Sequence, residues 1–314
     1  MDDIKSVWSS MKAGEKKRAA MCAEDVDMPA TIITGLRPGK TVLLTAGIHG
    51  CEYCSIQAAI ELADELRPEE VSGVLLIIHI ANASGFKERL PEVVAEDGKN
   101  LNRVFPGKAD GSKAERIAWH ITALQKNADF YIDMHGGDLH ESMHPFVFIP
   151  GVAEESVTQA ARDAAQALSV DMRVRSRATT GAYNSAAILG VPSMLIERGG
   201  NGQISRTEVD AYKRDVRSVL AHLGVLPADR IIPPAQRPQQ RELDSAVYLE
   251  ADTEGCWHPS VAPGQPVTQG QPLGEVRTSF GEPCRQYAAE RDGRVLYMTV
   301  SLAVEKGTPL VAYG

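Results

Sequence analysis

The segment GIHGCEYCS carries His49 and Glu52 three residues apart, directly after the apolar run TVLLTAG. Imidazoles and carboxylates hold zinc in hydrolases, usually as three protein ligands with a fourth position left for water. The glycines around His49 let the chain turn sharply and approach a ligand closely. A helix starting at Cys51 or Glu52 would set Glu52 beside His49. The same pair also reads as a strand-end histidine and a first-turn glutamate that complements a helix dipole. DMHGGD offers His135 at the end of a second apolar run, with Asp133 two residues earlier on the same side of that strand. A carboxylate so placed can fix the tautomer of a ligand histidine. At the end of a neighbouring strand, His135 is expected to be the third ligand.

HESMH, His140 to His144, fits H-E-x-x-H, in which two histidines at i and i+4 of one long helix face a metal. Its surroundings deny it that helix. Gly136 and Gly137 precede it, Pro145 disfavours helical dihedrals at His144, and PFVFIP reads as a strand. His140, Glu141 and His144 are therefore expected to line a cleft and shape substrate choice without holding metal. Cys51 and Cys54 form C-x-x-C, a spacing of redox dithiols and zinc knuckles. Cys256 and Cys284 do not supply a second pair at knuckle spacing, so both residues read as packing around the helix start.

A hydrolytic zinc also needs a base for its water. Glu197 ends the apolar run VPSMLIE with Arg198-Gly199-Gly200 behind it, where a carboxylate can face a cleft or pair with Arg198. In DGKNLNRVFPG, Asn100, Asn102 and Arg103 sit in a loop closed by Pro106-Gly107. Arginine grips a carboxylate through two parallel hydrogen bonds and asparagine can assist. Arg89 in FKERLPE could polarise a carbonyl or lie on a helix surface. RVRSR (173–177) puts three arginines on one side of a strand, facing either an acidic substrate or solvent.

These residues need elements to hold them. TVLLTAG, VLLIIHIA, DFYIDMHG and VPSMLIERGG read as buried strands, all but VLLIIHIA ending in glycine. Between them lie helical patterns: SIQAAIELADEL with Ile56, Ala59, Ile60, Ala63 and Leu66 on one face, KAERIAWHITALQKN, AEESVTQAARDAAQAL, and SRTEVDAYKRDVRSVLAHLG with Ser205 as N-cap. Such alternation predicts an α/β domain whose sheet is covered by helices, with sites at the strand ends. IIPPAQRPQQRELD (231–244) reads as a linker. Beyond it helical patterns vanish, and PGQPVTQGQPLG resembles the turns of lipoyl-like barrels, without a lysine at a hairpin tip.

With 314 residues the chain can bury a sizeable core in one large domain, or in one large and one small. A net charge of -8 with no strong basic cluster argues against nucleic acid. The start is not a signal peptide, no apolar run spans a bilayer, and five scattered cysteines do not form a disulfide framework. The expected setting is cytoplasmic, away from membranes. A homo-oligomer is left open.

In order, H-x-x-E, NLNR, a strand ending in His and a strand ending in Glu resemble the succinylglutamate desuccinylase/aspartoacylase family, a branch of the zinc carboxypeptidase-like hydrolases. The resemblance runs from about Thr41 to Gly202, and the β tail fits the C-terminal domain of such deacylases. It implies an α/β fold with a mixed central sheet flanked by helices over residues 1–238, and a small all-β barrel-like domain over 244–314. It implies one zinc ion per chain on His49, Glu52 and His135, with Glu197 as catalytic base. Asn102 and Arg103 would hold the substrate carboxylate, and Arg89 is the nearest match to the carbonyl-polarising arginine. The family's cleft tyrosine is matched by no motif here. The implied reaction is hydrolysis of the amide of a small N-acyl amino acid. A metallocarboxypeptidase on the same zinc core is the nearest alternative, and a non-catalytic binding protein the more distant one.

Overall fold

A computed structural model describes residues 4–23 and 26–314, without the side chains of residues 4–6 and 21–23. Cys22, one of the five cysteines, has its side chain among those left undescribed. The strands are β1 (Lys16–Ala23), β2 (Val26–Thr34), β3 (Arg37–Ala46), β4 (Ser72–Ile78), β5 (Phe130–His135), β6 (Glu141–Met143), β7 (Phe146–Pro150), β8 (Met172–Ser176), β9 (Ser193–Glu197) and β10 (Arg241–Leu243). After them come β11 (Val247–Glu250), β12 (Gly255–Pro259), β13 (Pro266–Val267), β14 (Pro272–Arg277), β15 (Pro283–Ala288), β16 (Gly293–Thr299), β17 (Ala303–Val304) and β18 (Pro309–Tyr313). The helices are α1 (Ile4–Ser10), α2 (Tyr53–Glu65), α3 (Ala83–Glu88), α4 (Lys113–Gln125), α5 (Glu155–Ala165), α6 (Ala182–Ile188) and α7 (Arg206–His222).

Among the described residues, nine strands form a mixed sheet in the order β1-β2-β4-β3-β5-β9-β7-β8-β10. Its centre, β4-β3-β5-β9, is parallel, and β7 runs antiparallel to β9. Apolar residues on both faces of β3 and β5 explain why these strands lie in the middle, since a strand covered by helices on each side must be apolar throughout. One face packs against α2, α5 and α7, with Leu44, Ile132, Leu62, Ala164 and Val219 buried together. The other packs against α4 and α6, with Leu43, Tyr131, Ile117, Ile121 and Ala186. Each leucine, isoleucine or valine among them contributes roughly 1.5–3 kcal/mol by leaving water.

The helix starts follow their capping chemistry. Ser205 accepts from the Glu208 amide at 3.3 Å, and Glu115 reaches back to the Ser112 amide at 3.0 Å. On α2 one expectation fails: Ile60 is 38% exposed, while Ala58 and Leu62 are buried. The buried face centres on Ser55, Ala58, Ala59 and Leu62, and Ile60 lies past its edge.

Residues 231–244 are not a free linker. The Ile232 amide donates to Ser218 Oγ at 2.9 Å, and β10 extends the large sheet by pairing with β8. Glu242 holds that edge, accepting from Arg173 Nε at 2.7 Å and Arg162 Nε at 3.1 Å. A polar, proline-rich composition says nothing of such distant partners. The C-terminal strands form two sheets, β11-β18-β16-β13 and β15-β14-β12-β17, around Trp257, Leu273, Val276 and Leu310. β6 joins the first of these: Tyr297 pairs with Met143, Met298 with Ser142 and Thr299 with Glu141. The HESMH segment is therefore a strand that ties the C-terminal sheets to the large one.

Candidate active site

Three parallel strands end together. Ala46 of β3 is paired with Met134 of β5, and His135 of β5 with Glu197 of β9. Each strand end delivers one part of the site. After β3 the chain bends at Gly47, whose φ of 67° favours glycine, and reaches His49. Glu52 is the N-cap of α2, so its carboxylate stands over the same strand ends. Gly136 lets β5 and β9 close together, since a Cβ there would lie 2.0 Å from the Arg198 carbonyl oxygen.

His49, Glu52 and His135 bring one ligand atom each to within 4.8 Å of one another. His49 Nδ1 is 2.7 Å from Glu52 Oε1, and His135 Nδ1 is 3.1 Å from Glu52 Oε2. The outward nitrogens are engaged too. His49 Nε2 is 3.2 Å from Asn100 Oδ1, an oxygen that already accepts the Asn102 amide at 2.9 Å. His135 Nε2 is 3.3 Å from Asp133 Oδ2, and Asp133 Oδ1 accepts from Thr45 Oγ1 at 2.8 Å. Each Nε2 thus lies beside an oxygen, although the His135 Nε2 and Asp133 Oδ2 atoms form no well-aligned hydrogen bond, and each Nδ1 is the nitrogen turned toward Glu52. Two Nδ1 atoms converge on one carboxylate, an arrangement that calls for positive charge between them, supplied by a proton or by a metal ion. A divalent metal fits this donor set, and Asn100 and Asp133 orient the rings for it.

The electrostatics agree. Burial alone would raise the pKa of Glu52, but the His135 and His49 imidazoles outweigh it and hold the carboxyl below its ordinary range. Burial would lower His135, yet the Glu52 and Asp133 carboxylates carry it well above the usual histidine value. Glu197 is raised well above the carboxylate range, first by burial and then by Glu52, Glu141 and Asp133, against the opposing effect of His135. Its Oε2 is buried with no hydrogen-bond partner. The ion pair with Arg198 considered from sequence does not form. Arg198 is bound to Asp215 at 2.8 Å and Glu208 at 3.1 Å.

A cleft of about 680 Å³ opens over these residues. Asn102 and Arg103 line it. Asn102 Oδ1 accepts the Ala182 amide at 2.9 Å, which turns its NH2 into the available donor. Arg103 is exposed and forms no ion pair among the described residues. Arg89 is not brought to the cleft. It is the exposed cap residue after α3, with φ of 58°, and is absent from the lining.

Of the HESMH residues, Glu141 lines the cleft but His140 and His144 do not. His140 is exposed, and His144 Nε2 is 2.6 Å from Asp171 Oδ1. Glu141 has its pKa pushed up to about 8 by burial and by Asp138, Glu52 and Glu92. Cys51 and Cys54 are buried and unpaired. Residues without a sequence signal complete the walls: Glu92, Asp138, Tyr183, and from the C-terminal sheets Tyr248, Glu250 and Tyr297.

Residues 38–223 match the succinylglutamate desuccinylase/aspartoacylase catalytic domain. Over 274 residues the chain is 30% identical to the N-alpha-acetyl-L-2,4-diaminobutyric acid deacetylase of Halomonas elongata, covering 85% of this chain and 80% of that protein. It is 26% identical to the product-bound structure of the ectoine utilization protein EutE (DoeB) from Ruegeria pomeroyi, with a TM-score of 0.85 and 97% of each chain covered. A Rhodobacter sphaeroides succinylglutamate desuccinylase/aspartoacylase structure has the same fold at 24% identity, with a TM-score of 0.83 over 96% of this chain and 97% of that one. With its strand-end histidines and glutamates and its matched catalytic domain, the chain belongs to the succinylglutamate desuccinylase/aspartoacylase family of deacylases.

Proposed function

We propose that this protein is a zinc-dependent deacylase that hydrolyses the amide of an N-acyl amino acid or a similar small amide bearing a carboxylate. One observation carries the reading: the unpartnered Glu197 carboxylate stands at the strand end beside His135, whose Nδ1 converges with Glu52 and His49 Nδ1. Zinc held by His49, Glu52 and His135 would polarise the amide carbonyl and make water acidic enough to attack near neutral pH. Glu197 takes up a proton at Oε2 and returns one to the leaving nitrogen. Asp133 and Asn100 keep both imidazoles turned toward Glu52. The Asn102 NH2 and the Arg103 guanidinium hold the substrate carboxylate. Tyr297 and Tyr248 are the cleft phenols that no motif identified.

The C-terminal sheets support a small substrate, since Ser245, Tyr248, Tyr297 and Pro309 wall one side of the cleft. This speaks against the metallocarboxypeptidase alternative. The Halomonas relative removes an acetyl group from a diamino acid. Glu92, Asp138 and Glu141 would suit the free amine of such a compound. With no disulfide framework in its cysteine pattern, we place the enzyme in the cytoplasm. The test is turnover by the zinc-loaded protein of N-acetyl amino acids, including N-α-acetyl-2,4-diaminobutyrate, against short peptides. Faster cleavage of C-terminal peptide bonds would replace the deacylase reading with the carboxypeptidase one, and no hydrolysis of either would leave a binding protein.

A further inference from the structure

A row of buried polar side chains runs back from His135 into the middle of the large sheet. Tyr131, Asp133 and His135 alternate along β5 and so share one of its faces. Thr45 on β3 is the cross-strand partner of Asp133. Tyr131, Thr45 and Asp133 are all fully buried, and Tyr131 belongs to the apolar cluster of Leu43, Ile121, Ala186 and Leu195. Thr45 Oγ1 donates to Asp133 Oδ1 at 2.8 Å. A hydroxyl carries one hydrogen, so in the 2.5 Å contact between Thr45 Oγ1 and the Tyr131 hydroxyl the phenol is the donor. The bonds therefore run one way, from Tyr131 through Thr45 to Asp133, and bonds aligned like this strengthen one another. The other carboxylate oxygen, Asp133 Oδ2, is buried without a hydrogen-bond partner. It lies 3.3 Å from His135 Nε2, which has none either. Asp133 is thus held at Oδ1, and its Oδ2 is left for the ring. Polar groups in an apolar layer cost stability unless they are bonded, so apolar side chains would fill this space at least as well. What the polar set adds is a carboxylate fixed beside a ligand imidazole.

We infer that Thr45 and Tyr131 are positioning residues of the metal centre: they act on His135 through Asp133 and so set how tightly the metal is held. This rests on the zinc assignment above. Neither residue lines the cleft, so substrate binding is left alone. Their sequence signal is slight, because a threonine and a tyrosine in apolar runs read as ordinary strand residues. Only the pairing of β3 with β5 sets Thr45 opposite Asp133 and within reach of the Tyr131 hydroxyl.

The experiment uses Thr45→Val, which keeps the shape and removes the hydroxyl, Thr45→Ser, which keeps the hydroxyl, and Tyr131→Phe. Competition with a chromogenic chelator reads zinc affinity without any substrate. Thr45→Val should bind zinc about tenfold more weakly or worse, the usual effect of losing an outer partner of a ligand histidine. Thr45→Ser should stay within about threefold of wild type, and Tyr131→Phe should fall between the two. Asp133→Ala already lacks the carboxylate, so adding Thr45→Val to it should change zinc affinity less than about twofold. In cobalt-substituted protein the visible bands should move with Thr45→Val and stay with Thr45→Ser. At saturating zinc, Thr45→Val should lower kcat and leave KM unchanged. Zinc affinity unchanged in Thr45→Val, or lost equally in Thr45→Ser, overturns the inference. Should Thr45→Val fail to fold by circular dichroism, Tyr131→Phe decides, and wild-type zinc affinity in that variant overturns it. A wild type that binds no zinc overturns the inference together with the metal assignment. Zinc bound as expected by a protein that hydrolyses no amide overturns the deacylase reading alone and supports the positioning role.

Discussion

The phenol of Tyr212 lies 3.0 Å from the carbonyl oxygen of His135. It is closer still, at 2.6 Å, to the carbonyl of Ile196, the residue before Glu197. On the other side of the His135–Gly136 peptide, the Gly136 amide donates to Glu52 Oε2 at 3.2 Å. One fully buried hydroxyl on α7 thus spans the ends of β5 and β9 and is linked through a peptide to the Glu52 carboxylate. Hydrogen bonds in such chains polarise one another. Tyr212→Phe keeps the ring and removes only the shared donor. It should cost ~1–3 kcal/mol in stability by leaving buried carbonyls unsatisfied. It should also weaken zinc binding and lower kcat with KM nearly unchanged. Competition with a chromogenic chelator and steady-state kinetics check this, and a loss confined to thermal stability would reduce Tyr212 to a packing residue.

The ligand assignment separates the histidines sharply. His49→Ala and His135→Ala should each lose bound zinc, because each removes one of three donors. His140→Ala and His144→Ala should keep it, although His144→Ala gives up its contact with Asp171. Metal content after dialysis is the measurement. Zinc retained by the first pair and lost by the second would restore the H-E-x-x-H reading.

Glu197→Gln is nearly isosteric and leaves the donor set untouched. Zinc content should match wild type while kcat falls by about 10²–10⁴, the usual contribution of a positioned proton carrier. Unchanged turnover would remove Glu197 from the chemistry.

Glu141 gives the metal-free protein a pH signature. Its folded pKa, about 8, stands above the ordinary carboxylate value of 4.5. Between those values the folded state holds a proton that the unfolded state releases, so stability falls as pH rises. Glu141→Gln removes this term. After chelation the variant should gain stability over wild type by roughly 1–3 kcal/mol between pH 5 and 8, allowing for partial solvent access. Denaturant titrations at both ends of that window check it. A constant difference would mean that Glu141 is ionised throughout.

Much of this was legible in the chain itself, because it followed from local rules. Apolar runs ending in glycine placed His49, His135 and Glu197 at strand ends, as β3, β5 and β9 bear out. Gly136-Gly137 and Pro145 denied HESMH a helix through backbone sterics alone. Residue identity and order thus determined the fold class and the order of the candidate ligands. Tertiary structure decided what depends on partners far along the chain. Nothing near HESMH foretells that it pairs with Tyr297–Thr299, more than 150 residues later, and thereby brings Glu141 and Tyr297 to one cleft. Arg89 and Arg175 could not be ranked by spacing, since a guanidinium reaches wherever its backbone points it. Three-dimensional packing turned Arg89 outward, tied Arg173 to Glu242, and left Arg175 and Arg177 unpaired beside the cleft. The orientation of the His49 imidazole was likewise settled by an acceptor on another element, Asn100, whereas Asp133 beside His135 follows from the alternation of one strand.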